Sequence, residues 1–202
     1  IGSVMNYFLN LILFSFSKLA VAVFGAYFKV QSMAFMPVFG LNNGMIPIIS
    51  YNYGAQRPDR MKRTMKLGVM VGCSIMLFCL VIMQAFPGQI LKIFDATDDM
   101  LSMGIPAVRI MSTAFIFAGF SVTCSGMFQA VGKGVYSMIV SMARQLFVIL
   151  PVAYFLSKAM NSVNGVWTAF PIAEIFSVII STFLLLRVYK KIVKPLERGQ
   201  IE

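Results

Sequence analysis

The 202 residues are 59% hydrophobic and 12% charged, with a mean hydropathy of +0.84. A water-soluble domain carries about a quarter charged residues, so this balance excludes one. The net charge of +10 would also suit nucleic acid. Here, however, the basic residues gather at the ends of apolar runs, and no nucleic-acid partner is expected. The useful unit is the bilayer span, about 20 helical residues across a hydrocarbon core of about 30 Å.

Six apolar stretches follow one another: 1–17, 21–53, 67–86, 110–131, 135–156 and 166–186. None alternates as barrel strands do. The first lacks the basic flank and cleavage site of a signal peptide. The second is interrupted only by Lys29, which is expected to snorkel toward the outer face. The third has no charge, and the fourth follows Arg109. The fifth contains Arg144 and the sixth Glu174. Between the third and fourth, residues 87–104 mix Ile90, Leu91, Ile93 and Phe94 with Asp95, Asp98 and Asp99, which points to the outer interface. The reading is an all-α, polytopic membrane bundle of six transmembrane helices over residues 1–194, with a cytoplasmic tail at 195–202 and the lipid bilayer as its first partner.

Loop charge orients the bundle. The loop after the second stretch carries Arg57, Arg60, Lys62, Arg63 and Lys66, and the loop after the fourth carries Lys133. The tail adds Arg187, Lys190, Lys191, Lys194 and Arg198. The alternate loops hold only Lys18, Lys92 and Lys158. Eleven basic residues against three place the first set, and the carboxyl terminus, in the cytoplasm of an inner (plasma) membrane.

Cys73, Cys79 and Cys124 lie inside apolar runs without CxxC spacing, and the chain has no His. A Cys/His zinc site is therefore excluded, and the cysteines read as packing residues. With no His and few intramembrane acids, an enzyme is not expected.

The most informative run is Gly40-Leu41-Asn42-Asn43-Gly44-Met45-Ile46-Pro47-Ile48-Ile49-Ser50-Tyr51-Asn52-Tyr53-Gly54-Ala55. Gly40 and Gly44 form a GxxxG, as do Gly68 and Gly72, and both predict close helix packing. Pro47 removes a backbone donor. Asn42 and Asn43 point about 100° apart, so one is placed to bond a neighbouring helix while the other faces a cavity.

Gly44, Pro47, Asn52, Gly54 and Ala55, with the basic loop that follows, resemble the eighth helix of the MATE (multidrug and toxic compound extrusion) transporters. The likeness continues in order. Gln129-Ala130-Val131-Gly132-Lys133 resembles the end of the tenth helix, and Arg144 to Pro151 the eleventh. Gly165-Val166-Trp167 through Ala173-Glu174 is similar to the start of the twelfth. The resemblance implies the carboxyl-terminal lobe of a twelve-helix antiporter that exports lipophilic or cationic small-molecule drugs in exchange for H+ or Na+. It also implies a partner, the amino-terminal six-helix lobe, and no further cofactor. A start at Ile1, without Met and partway into a span, is expected of a piece of a longer protein. The alternatives are a flippase of lipid-linked substrates, whose cavity would carry more basic residues than Arg144 alone, and a non-transporting scaffold.

Some MATE proteins hold the coupling cation on acids of the seventh and tenth helices. The matching first and fourth stretches here have no Asp or Glu, which points to a coupling carboxylate elsewhere. Glu174 is the only acid deep in a stretch. An ionisable group in hydrocarbon is costly, so Arg144 and Glu174 are candidates either for a pair tying the last two spans together or, for Glu174, for proton coupling or cationic-drug binding. Arg144 stays protonated, which suits a tether or an anion contact. Asn6 and Asn10, one turn apart, are expected on a cavity wall. Gln31, Ser121, Thr123, Gln129 and Gln145 read as interhelical hydrogen-bonding residues, with Gln31 and Gln129 also pathway candidates.

Overall fold

Long apolar runs without alternation leave the backbone one way to satisfy its polar groups in hydrocarbon, the α-helix. The computed structural model describes residues 2–198. Ile1, where the first expected span begins, and residues 199–202 of the expected tail lie outside the described residues. Among the described residues the structure is all-α, without strands.

Helix α1, Gly2–Phe14, is followed by α2, Lys18–Gly54. The Ser17 hydroxyl accepts from the Ala20 N–H at 3.0 Å and so starts α2 with a side-chain cap. Pro37 and Pro47 lie inside α2. Helix α3, Pro58–Ala85, and the short α4, Pro87–Lys92, each begin at a proline, where the missing N–H costs nothing. Thr97 caps α5, Asp98–Ser112, and Asp98 and Asp99 in its first turn oppose the helix dipole. Helix α6 is Phe115–Ala130, and α7 is Gly134–Met142. The turn between them uses Gly132 at φ +71°. Helix α7 runs on through a wide turn of i→i+5 character, Ala143–Ile149, into α8, Leu150–Met160. Pro151 lies just beyond the wide turn and has no N–H for an ordinary i→i−4 bond. Helix α9, Asn164–Val188, continues through a second wide turn, Tyr189–Val193, into α10, Lys194–Glu197.

The six expected spans are met in part by single helices. Four continuous helical rods are long and apolar enough to cross: Lys18–Gly54, Pro58–Ala85, Gly134–Met160 and Asn164–Glu197. A fifth crossing needs α5 and α6 taken together across a 50° bend. Helix α1 has 13 residues, a rise of about 20 Å against the roughly 30 Å hydrocarbon core. Across 87–104, where the outer interface was expected, α4 starts at Pro87 and the first half of α5 forms behind Thr97 and its two acids, ahead of the apolar run.

Helix α6 packs against α2, α3 and α9 at the centre of the bundle. Its approach to α3 rests on glycine. A side chain at Gly119 would meet the Gly72 carbonyl oxygen at 2.9 Å and the Cys73 Cα at 3.0 Å. The two backbones touch there. The core divides into a large cluster around Trp167, Phe24, Phe115 and Leu9, and a smaller one around Met61, Phe128, Val193 and Leu196. Trp167 is fully buried and stacks on Phe24 at 6.5 Å, which joins the starts of α2 and α9.

Leu196 is buried in the second cluster, so the boundary expected after residue 194 falls inside a packed, continuous helix. Lys62, in the first turns of α3 and ahead of its apolar span, bonds Glu197 of α10 and also pairs with Asp59 at 3.4 Å. The Glu197 hydrogen bond holds the Lys62 ammonium above its ordinary 10.5. A raised lysine contributes fully below its unfolded value and is lost only as pH rises through the folded one. Glu197→Gln is expected to loosen α10, seen as faster trypsin cleavage after Lys190 and Lys191. In the unsubstituted protein the same loosening is expected at alkaline pH above 10.5 and with added salt, which screens the pair. Identical cleavage of both proteins at neutral pH would remove this role.

Candidate functional site

Two cavities, of about 330 and about 230 Å³, share a wall made of Phe35, Phe39, Arg144 and Gln145. The larger is walled by polar stripes at helical spacing. Ser121, Ser125 and Gln129 recur at i, i+4 on α6, and Ser137, Ser141 and Gln145 do so from α7 into its wide turn. Ser177 enters from α9, and Asn42 and Asn43 from α2. Gln129 donates to the Ser137 hydroxyl at 3.2 Å and ties α6 to α7. The smaller cavity is walled by Gly2 and Met5 of α1, Phe28 and Gln31 of α2, and Phe170 and Glu174 of α9.

Arg144 and Glu174 form the ion pair between the cavities, Nη1 to Oε1 at 2.9 Å. Both side chains are largely buried, at 18% and 10% exposure. The wide turn at Ala143–Ile149 supplies both Arg144 and Gln145 to the shared wall, in keeping with the frequent use of such turns at functional positions. Several buried oxygens have no hydrogen-bond partner among the described residues: Glu174 Oε2, Gln145 Oε1, Ser177 Oγ and Asn42 Oδ1. All four belong to residues lining these cavities. The site thus offers carboxylate, amide and hydroxyl oxygens beside two phenylalanine rings, a set that can accept from a cation or a polar ligand while the rings cover its apolar part. Among the described residues no group of three or more His, Cys, Asp or Glu gathers to hold a metal ion.

The structure brings together Asn42, Asn43, Gln129 and Arg144 in one cavity, and Gln31, Arg144 and Glu174 in the other. Asn42 is buried, and its Nδ2 donates to the Val122 carbonyl of α6 at 2.9 Å. Only a glycine at 126 leaves room for it, since a side chain there would come within 2.7 Å of Asn42 Oδ1. Asn43 is exposed on the cavity side.

Asn6 and Asn10 line neither cavity. The buried face of α1 is Met5, Leu9 and Leu13, and the two asparagines sit one residue, about 100°, beyond it. Gly40 and Gly44 are a second correction. A side chain at either would meet nothing within 4 Å, so among the described residues this GxxxG seats no helix and instead lines an apolar groove with Leu67 and Val71. The packing role belongs to Gly68 and Gly72, which face Met45 and Thr123. Pro47 lies within α2, a turn before Ser50, whose hydroxyl donates to the Ala130 carbonyl at 2.8 Å. Asn52 is buried and donates to the Ile48 carbonyl at 2.8 Å, while Gly54 and Ala55 end the helix. These motif residues hold the end of α2 rather than the cavities. Sequence reasoning missed Ser125, Ser137, Ser141 and Ser177. For Ser125, Ser137 and Ser141 the i, i+4 spacing with Ser121, Gln129 and Gln145 was the signal; Ser177 carried no such mark.

Comparison with known proteins places this geometry. The multidrug export protein MepA of Staphylococcus haemolyticus is 25% identical over 176 residues, which cover 87% of this chain and 38% of that protein. MepA of Staphylococcus saprophyticus is 27% identical over 160 residues, covering 79% and 35%. The chain therefore spans less than two-fifths of the length of these relatives. Two solved structures of a multidrug resistance MATE family transporter of the MOP superfamily share the fold. The outward-facing one matches with a TM-score of 0.87 at 21% identity, over 97% of this chain and 44% of that one. The inward-facing one also gives 0.87, at 20% identity, over 98% and 46%. The family model MatE matches residues 1–155, which carry α1 to α7, the wide turn and Arg144, and on that match this membrane protein belongs to the MatE family.

Proposed function

We propose that this chain forms one lobe, the carboxyl-terminal one, of a secondary active efflux antiporter that exports lipophilic or cationic drugs in exchange for H+ or Na+. The observation that carries the reading is the pair of polar, phenylalanine-walled cavities meeting at the buried Arg144–Glu174 pair. The second, amino-terminal lobe would complete the path, and the lobe would rock as a unit between outward- and inward-facing states. Equal likeness to relatives in both states supports motion of the lobe as a rigid body. The bundle sits in the inner membrane with its carboxyl terminus in the cytoplasm, as the loop charges direct.

In this reading Glu174 exchanges partners. Its Oε1 is held by Arg144, while Oε2, without a partner among the described residues, would take up a proton or accept a hydrogen bond from a cationic substrate. Glu174→Gln, introduced into the complete transporter, is expected to abolish pH-driven drug export, whereas Glu174→Asp keeps part of it. Drug accumulation in cells expressing each variant at matched membrane levels gives the measurement. Undiminished export by the Gln variant would eliminate Glu174 as the coupling group.

A further inference from the structure

A third concavity, of about 350 Å³, lies away from the central cavities, at the end of the bundle where α2, α6 and α9 finish. Its wall is cationic. Lys133 comes from the turn before α7, Arg187 from the last turn of α9, and Lys191 from the second wide turn. None of the three pairs with an acid among the described residues; the acids that do pair are Asp59, Glu197 and Glu174, taken by Lys62 and Arg144. Arg187 and Lys191 are one turn apart on one face, an arrangement that repels unless an anion lies between them. The start of α7, beside Lys133, has no side-chain cap, so its first N–H groups and the positive end of its dipole add to the same field. Tyr53 and Tyr136 stand at the rim, and Phe128 holds the Tyr136 ring edge-on at 5.9 Å.

Three features select a lipid over a free ion. The floor is apolar, made of buried Val188 and Ile192. Two tyrosines at a helix end are the usual markers of the membrane interface. On α9 just before the cations, Phe183 and Leu186 are exposed, at 66% and 54%, a track along which acyl chains lie. From the convergence of three unpaired cations over an apolar floor at a helix end, we infer that Lys133, Arg187 and Lys191 form a binding site for the phosphate of an anionic glycerophospholipid. Basic pockets between helices on this side of a membrane take such headgroups. The site goes beyond the transport reading and uses it only to name the leaflet, the cytoplasmic one.

The test uses the purified protein in detergent, titrated with phosphatidylglycerol or phosphatidylcholine and read by native mass spectrometry. Phosphatidylglycerol is expected to bind in preference. The triple variant Lys133→Gln, Arg187→Gln, Lys191→Gln is expected to bind it about a hundredfold more weakly, the order expected for three basic residues near an anionic headgroup. The charge-keeping variant Lys133→Arg, Arg187→Lys, Lys191→Arg retains binding, which separates charge from misfolding. A second triple, Arg57→Gln, Arg60→Gln, Arg63→Gln, removes the same charge from the first turns of α3 and is expected to change little. Equal loss in both glutamine triples, or equal binding of phosphatidylcholine, would overturn the site in favour of diffuse surface charge. Displacement of the lipid by glycerol 3-phosphate alone would overturn the lipid in favour of a soluble phosphate. None of these readouts involves transport, so failure of the antiporter reading leaves them unaffected.

Discussion

Replacing Arg144 with Met should destabilise the bundle by about 3–5 kcal/mol, the usual cost of removing one partner from a buried ion pair. The Glu174 carboxylate would be left at 10% exposure, with Oε2 already lacking a partner among the described residues. The double variant Arg144→Met, Glu174→Met should recover most of the loss, because an apolar pair of similar volume removes the uncompensated charge. The two cavities on either side give the double variant room to repack. Thermal unfolding of the three proteins in one detergent reads both effects. If the double variant is as unstable as the single, the pair holds α9 to the wide turn by its geometry, and the stranded charge is not what destabilises the single variant. The same cycle bears on transport. A pair kept only for stability could be replaced by the two methionines without loss of export, whereas a carboxylate that exchanges partners could not.

Gly119→Val is the second large change. The new Cβ would enter at 2.9 Å from the Gly72 carbonyl oxygen and 3.0 Å from the Cys73 Cα, both backbone atoms. Neither can rotate away, so α6 and α3 must separate. Overpacking of this kind costs about 1–3 kcal/mol. The displacement also reaches the site, because Ser121 and Ser125 sit on the next turns of α6. Gly44→Val is the matched control. Gly44 sits in a GxxxG like that of Gly72, the residue Gly119 packs against, yet a side chain at Gly44 meets nothing within 4 Å. A clear drop in melting temperature for Gly119→Val with little change for Gly44→Val is the expected result. Equal drops would mean that Gly44 is packed against something other than the helices of this chain.

Much of the site was legible in the residues. Arg144 and Glu174 stood out because charge inside an apolar run is rare and costly, and the structure pairs them at 2.9 Å. The adjacent asparagines divided their work as the 100° step requires, with Asn42 bonding α6 and Asn43 facing the cavity. The serines were less visible, since a hydroxyl in a membrane helix can satisfy itself on its own backbone, as Ser121 does on the Phe117 carbonyl. Only the alignment of three helices turns them into a wall.

Composition and the spacing of apolar runs determined by themselves that the chain is helical and built for a bilayer, because in hydrocarbon no other open structure satisfies the backbone. The starts of α2, α3, α4 and α5 were also local matters, decided by Ser17, Pro58, Pro87 and Thr97. Tertiary structure alone decided which polar residues meet. Asn6 and Asn10 share a face of α1, yet the neighbouring face of Met5 and Leu9 is the buried one. Two GxxxG motifs of equal standing in the chain part company in the bundle, Gly68 and Gly72 against side chains and Gly40 and Gly44 against open space. A motif of small residues permits close approach, but whether a helix arrives depends on how the others pack. The wide turn that carries Arg144 and Gln145 to the shared wall likewise depends on helix packing, with Pro151 as its one mark in the sequence.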